Sequence, residues 1–187
     1  MSIKADVQLD AKGLACPMPI VKTKKAMQGL ENGQVLEVIA TDKGSKADLA
    51  AWSKTVGHQY IGTTEDGDVL YHYIRKCNPE ASEAAEKTFE QTVTNEEAIA
   101  ADGIILDVRE AAEYAFGHIP GAKSIPMGEL STRMNELDKA QPIYVICRTG
   151  TRSDMAAQQL AEAGFTNIYN VLPGMSGYAG ELEKEVN

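Results

Sequence analysis

The sequence predicts an α/β protein built from two unlike parts, and three observations carry that prediction. Residues 1–77 read as strand, helix, strand, helix and a closing hairpin. Residues 92–187 read as short apolar strands alternating with helices. Between them, "NPEASEAAEKTFEQ" (78–91) is acidic and short of large apolar residues. A length of 187 residues accommodates one or two domains. We therefore expect a first domain at 1–77, an acidic linker at 78–91 and a second domain at 92–187.

In the first part, Val7 and Leu9 alternate with polar residues, which is the period of a strand. A helix follows from about Pro17 to Gln28. Pro17 and Pro19 suit its opening turn, where fixed φ and a missing amide hydrogen cost little. Ile20, Thr23, Met27 and Leu30 recur on one side, with Lys22 and Lys25 opposite and Lys24 on a flank. "QVLEVIAT" reads as a buried strand. A second helix spans about Ser45 to Val56, with Leu49, Trp52 and Val56 on its inner face and Gly57 as its cap. "HQYIGTTEDGDVLYHYIRK" reads as a hairpin turning at Glu65-Asp66-Gly67. A β-α-β-α-β-β order with so small a sheet predicts two layers, one of helices and one of strands.

In the second part, "GIILDV" is a buried strand, "HIPGA" a turn and "KSIPM" a short strand. "PIYVI" is a strand that runs straight into "CRTGTR". "SDMAAQQLAEAG" predicts a helix with Met155, Ala156, Gln159, Leu160 and Ala163 near one side and Gly164 as its cap. "SGYAGELEKEV" predicts a terminal helix. Such alternation predicts a mostly parallel sheet with helices on both faces.

A hydrophobic share of 43% is ordinary for a globular chain. No apolar run approaches the ~20 residues of a membrane helix, and "MSIKADVQLD" lacks the apolar core of a signal peptide. We expect a soluble, cytoplasmic protein without a membrane partner. The net charge of −9 argues against direct nucleic-acid binding. That charge is uneven. Residues 1–77 carry ten basic and nine acidic side chains, whereas 92–187 carry seven and fourteen. Cys16, Cys77 and Cys147 are too few and too scattered for a disulfide framework. With His58, His72 and His118 they show no metal-ligand spacing, so we expect no metal site and no cofactor. "PGMSGYAG" lacks G-x-G-x-x-G after a strand, which sets nucleotide binding aside.

Two thiols stand out. Cys16 precedes the proline-braced helix start in "LACPMP". It is either packing or chemistry, because a helix N-terminus favours a thiolate and Lys22, Lys24 and Lys25 follow. Those lysines could equally solvate the helix. Cys147 sits where a buried strand ends and a helix soon begins, the usual place for a site in an open parallel sheet. The intervening loop supplies Arg148, Thr149, Gly150, Thr151 and Arg152. Such a loop can turn its amides inward as an anion nest, making Cys147 a nucleophile in an anion pocket. The plainer alternative is a core cysteine followed by a basic surface loop. Phosphate-ester cleavage and sulfur transfer both use such a pocket. The C-x4-R spacing is one residue shorter than the C-x5-R of cysteine phosphatases, and the smaller cradle favours a single sulfur atom. Cys77, beside Arg75 and Lys76, reads as an incidental thiol at a domain edge.

Residues 92–187 resemble a single-domain rhodanese through "ILDVREAAEY", "GHIPGAKSIPM", "CRTGTRS", "AAQQLAEAGFTNIY" and "LPGMSGY", in family order. The resemblance implies a persulfide on Cys147 cradled by amides from Arg148 to Arg152. It implies that Asp107 and Arg109 brace the fold and that His118 belongs to a structural turn. Residues 5–76 resemble the TusA/SirA-like sulfur carriers through "LDAKGLACPMPIVKTKKAM", "GQVLEVIATD" and "DLAAWSKTVGH". That resemblance implies a two-layer βαβαββ fold in which Cys16, backed by Pro17 and Pro19, carries sulfur as a persulfide.

Together these predict a sulfurtransferase. Cys147 takes sulfane sulfur from thiosulfate or a low-molecular-weight persulfide, and Cys16 relays it to a protein or small thiol acceptor. The competing readings are a phosphatase-like enzyme and a non-catalytic persulfide carrier or sensor. The sequence leaves the oligomeric state and the direction of transfer open.

Overall fold

The computed structural model describes residues 3–78 and 86–186. The chain forms two compact units, Met1–Ala84 with Val186–Asn187, and Ala85–Glu185.

In the first unit, strands β1 (Val7–Ala11), β2 (Val35–Ala40), β3 (Gln59–Asp66) and β4 (Val69–Arg75) form one sheet in the order β1-β2-β4-β3. β1 and β2 are parallel; the other neighbours are antiparallel. Helices α1 (Met18–Gln28) and α2 (Ser45–Val56) supply Met27 and Leu49 to a core with Leu36, Val38 and Ile74. Leu36 and Val38 alternate along β2, so both meet the helices while Glu37 points the other way. Glu37 is satisfied there by Tyr73 Oη, which donates to it at 2.7 Å, and by Gln8 Nε2 at 2.5 Å.

Two expectations shift in detail. The hairpin closes on the Asp66–Val69 pair, with Gly67 at φ 60°, so its turn sits about one residue later than the sequence suggested. On α2 the buried line is Ser45, Leu49 and Ser53, and Val56 is 41% exposed. The serines hide their hydroxyls by bonding them. Ser53 Oγ donates to Leu49 O at 2.7 Å, and Ser45 Oγ lies 2.9 Å from His72 Nε2. Counting apolar letters overlooks small polar side chains satisfied in this way.

The second unit holds a parallel sheet in the order β5-β9-β8-β6-β7. Its strands are β5 (Thr92–Thr94), β6 (Ile104–Asp107), β7 (Lys123–Ser124), β8 (Ile143–Ile146) and β9 (Ile168–Leu172). Its helices are α3 (Asn95–Ala100), α4 (Ala111–Phe116), α5 (Leu130–Arg133) and α6 (Thr151–Glu162). Strand β8 divides two cores by its alternation. Ile143 and Val145 pack with Ala156, Ala157 and Leu160 of α6, whereas Tyr144 and Ile146 pack with Ala98 of α3 and Ile119. Helices thus cover both faces, as the run of strands and helices predicts.

Helix α6 starts at Thr151, two residues earlier than expected, and its buried face is Ser153, Asp154, Ala156, Ala157 and Leu160. Met155 and Ala163 are exposed instead. The face turns because Asp154 is buried to accept the Phe89 amide at 2.9 Å and Gln158 Nε2 at 2.7 Å. Residues 79–85 of the expected linker lie outside the described residues. Its last residues run along the second unit: Gln158 Nε2 donates to Thr88 Oγ1 at 2.9 Å, and the Asn170 amide to Gln91 O at 2.9 Å.

The expected terminal helix over 176–186 is not formed. A single 3-10 turn, Met175–Gly177, gives way to extended chain. There His118 and Glu183 exchange backbone hydrogen bonds at 2.9 Å, and the Glu185 amide reaches Ala115 O at 2.9 Å. With Leu182 44% exposed, no apolar stripe rewards a helix.

Candidate functional site

Strand β8 ends at Ile146, which places Cys147 at the first position of the loop that leads into α6. The residue is buried, with 1% of its surface exposed. Gly150 turns the loop at φ 92° and directs its amide at Cys147 Sγ, 3.1 Å away. Only glycine fits there. A Cβ at position 150 would lie 2.3 Å from Leu172 Cδ2 in a left-handed backbone. Ser153 Oγ lies 3.3 Å from the same sulfur. That hydroxyl donates to Asn170 Oδ1 at 2.6 Å, and Asn170 Nδ2 donates to Gly150 O at 3.2 Å. One buried amide side chain on β9 therefore fixes both groups that touch the sulfur. Behind the loop, the Met175 and Ser176 amides hold the carbonyls of Cys147 and Arg148, both at 2.9 Å.

The loop side chains divide. Arg148 and Thr149 are exposed, whereas Thr151 and Arg152 are half-buried. The sequence placed Arg152 in the anion pocket. Its guanidinium forms a two-pronged ion pair with Glu113 of α4, at 2.7 and 3.0 Å. Burial works against the guanidinium charge, but the Glu113 carboxylate outweighs it and holds Arg152 ionised, with a smaller contribution from the Cys147 sulfur. Arg152 is thus a tie between α4 and the loop and a source of positive potential. What the sulfur meets directly is the Gly150 amide, the Ser153 hydroxyl and the start of a 12-residue helix. Amide and helix start both present the positive end of their dipoles to the sulfur.

Cys16 presents the opposite surroundings. It is exposed, just before Pro17, which caps α1, and before Pro19, which is buried in the first turn. Its amide donates to Asp42 Oδ2 at 3.2 Å, and its Sγ donates to Asp48 Oδ2 at 2.9 Å. The hydrogen bond to Asp48 pushes the thiol pKa up, and partial desolvation and the charges of Asp48 and Asp42 push the same way. Lys22, Lys24 and Lys25 are exposed on α1, and none is bonded to this sulfur. The helix start and the three lysines that the sequence offers in support of a thiolate are not what this sulfur bonds; its partner is Asp48. Two aspartates from the loop before α2 and from α2 itself decide the local charge.

Cys77 accepts a contact from Arg75 Nη1 at 3.4 Å, and its backbone meets His58 Nδ1 at 3.2 Å. All three cysteines are free. Asp107 and Arg109 pair within 3.1 Å, and Arg109 Nη2 also holds Gly117 O at 2.8 Å. His118 stacks on Tyr114, ring centroids 3.6 Å apart, with Nδ1 2.8 Å from Tyr114 O. These residues join turns to strands and touch neither Cys147 nor Cys16. Sequence reasoning missed Glu113, Ser153, Asn170 and Asp48. Asn170 carried a signal, a polar letter inside the apolar strand "IYNVL".

A cleft of about 530 Å³ lies elsewhere in the second unit, lined by Phe89, Gln91, Gln158 and Phe165 among others, and does not include Cys147. Among the described residues, no cluster of side chains could hold a metal ion, and no helix is long and apolar enough to cross a membrane.

Two family models match the chain, Sulfurtransferase TusA over residues 7–76 and the rhodanese-like domain over residues 81–181. Over 188 residues the chain is 50% identical to YrkF of Bacillus subtilis (strain 168), named as a candidate sulfur carrier protein, spanning 97% of this chain and 100% of that one. It is 44% identical over 71 residues to the sulfur carrier protein TusA of Allochromatium vinosum, covering 38% of this chain and 93% of the relative. It is 32% identical over 85 residues to the thiosulfate sulfurtransferase GlpE of Pseudoalteromonas translucida, covering 46% and 81%.

Proposed function

The chain belongs to the rhodanese-like family, joined to a TusA domain, and from that premise we propose that it is a cytoplasmic sulfur relay in which Cys147 loads and Cys16 carries. Sulfur transfer in general follows from the two families. The donor, the order of the thiols and the boundaries of 1–77, 78–91 and 92–187 as carrier, linker and loader are our reading. One observation carries it: a buried sulfur at a strand end, 3.1 Å from the Gly150 amide and at the start of α6.

In the first step, the Cys147 thiolate attacks the outer sulfur of thiosulfate or of a small persulfide. A sulfur–sulfur bond forms on Cys147, the donor's sulfur–sulfur bond breaks, and sulfite or a thiolate leaves with the electron pair. The Gly150 amide and the α6 dipole stabilise negative charge on the sulfur, and Arg152 adds potential from its pair with Glu113. Arg148, Thr149 and Thr151 at the mouth of the loop meet the donor. In the second step, Cys16 attacks the outer sulfur of the Cys147 persulfide. Its thiol proton ends on the departing Cys147 sulfur, and Cys16 becomes the persulfide that a thiol acceptor consumes. Tethering places the two thiols at an effective concentration in the ~mM range where the linker permits the encounter.

Intact-mass spectrometry after incubation with thiosulfate or glutathione persulfide tests this order. We expect one added sulfur on Cys147 in the Cys16→Ser chain. We expect no loading of Cys16 from thiosulfate in the Cys147→Ser chain. Failure of Cys147 to gain sulfur from either donor overturns the proposal.

A further inference from the structure

The aspartates around Cys16 do not suit a thiol meant to react freely. Asp48 Oδ2 lies 2.9 Å from Cys16 Sγ, and Asp42 Oδ2 accepts the Cys16 amide at 3.2 Å. Asp42 also caps the approach to α2, accepting from the Gly44 amide through Oδ1 at 3.2 Å. Asp48 sits in the first turn of α2, where an acid favours the helix dipole. A helix-stabilising role alone leaves its contact with the sulfur without a purpose. We propose that Asp48 is a gate on Cys16. Its carboxylate holds the sulfur proton, so Cys16 accepts sulfur from donors that bring a positive charge to Asp48 and discriminates against anionic ones. This deepens the assignment of Cys16 as a sulfur carrier and rests on it.

The physical reason is a competition for one carboxylate. While Asp48 accepts the S–H, the thiol is stabilised over the thiolate, and Asp42 adds charge of the same sign. The lysines of α1 make no bond to the sulfur that would offset this. A cation arriving beside the donor sulfur pairs with Asp48, withdraws it as acceptor, and leaves the thiol free to ionise and attack. In the transfer, Cys16 Sγ bonds to the donor's outer sulfur and the donor's sulfur–sulfur bond breaks. The thiol proton goes to the departing donor sulfur, so no oxidant is needed. An anionic donor meets two like charges and leaves the gate shut. Arg148, exposed one residue after Cys147, is a cation of the required kind.

The test uses the full chain with Cys77→Ser and Cys147→Ser, so that Cys16 alone reports and the result does not depend on loading of Cys147. Alkylation by neutral iodoacetamide is followed from pH 6 to 10, and thiol–disulfide exchange is timed with cationic cystamine and with anionic dithiodiglycolate. Exposed charge interactions of this kind change rates by about two- to fivefold. We expect Asp48→Asn to speed alkylation at pH 7 by about that factor, shift the pH profile downward, and narrow the preference for cystamine. Asp48→Glu, which keeps the charge, should restore wild-type behaviour, and circular dichroism confirms that each variant is folded. Alkylation in Asp48→Asn that is unchanged or slower overturns the gate, as does an equal response to both disulfides in the wild-type background. Equal behaviour of the Asn and Glu variants also overturns it, assigning Asp48 to helix structure.

Discussion

Cys147 and Cys16 both stand where a helix begins, yet their surroundings have opposite sign. Cys147 is buried and accepts from a backbone N–H, whereas Cys16 is exposed and donates its S–H to a carboxylate as a hydrogen bond. Proximity to a helix start therefore does not decide the state of a thiol. The partner within hydrogen-bond reach does, because a contact near 3 Å outweighs a dipole of about half a charge spread over a turn. The contrast fits the order of transfer proposed above, in which Cys147 loads and Cys16 carries.

The strongest way to break the contrast is to remove the frame of the Cys147 loop. Glu113 is 3% exposed, and Glu113→Gln leaves the largely buried Arg152 guanidinium without its nearest counter-charge. Losing one member of a buried pair costs about 3–5 kcal/mol. We expect a lower urea midpoint and the loss of most sulfur loading. Cys16 alkylation in the same chain should stay unchanged.

A second test separates the two units by pH. His72 in the first unit is fully buried between Ser45 and Tyr60. Burial, with Lys46 nearby, lowers its pKa to about 4. The folded state therefore binds fewer protons than the unfolded one, and stability falls as pH drops from about 6.5 toward 4. The loss is on the order of 3 kcal/mol by pH 4. Urea melts that show no loss over this range, or an equal loss in His72→Gln, would remove His72 as the cause.

Smaller changes sharpen the picture at each sulfur. Gly150→Ala forces a Cβ toward Leu172 Cδ2 at a positive φ, so the loop must move. A cost of about 1–3 kcal/mol is expected, with a larger drop in the rate of Cys147 loading than in stability. Asp42→Asn is expected to have the least effect. Asp42 meets the Cys16 amide rather than its sulfur, so the alkylation profile should move less than in Asp48→Asn.

Several features were readable from residue order alone. Strand and helix periods placed β2, α2 and β8, and "CRTGTR" marked the loop at a strand end. Two of the errors share one cause. Met155 and Val56 were assigned inward by spacing, but buried Asp154 and Ser53 took those faces because their polar atoms found partners. The terminal segment 176–186 had helical composition and became an extended pairing beside His118.

By itself the sequence determined the two α/β parts, the two thiols and the short loop that follows one of them at a strand end. Those follow from local rules: periodicity, proline and glycine chemistry, and a short motif. Only the tertiary structure decided which charges reach which sulfur. Arg152 is five residues from Cys147 yet turns to Glu113, while Asp48 is 32 residues from Cys16 and bonds to it. Electrostatic contact depends on distance through space, and separation along the chain does not report it.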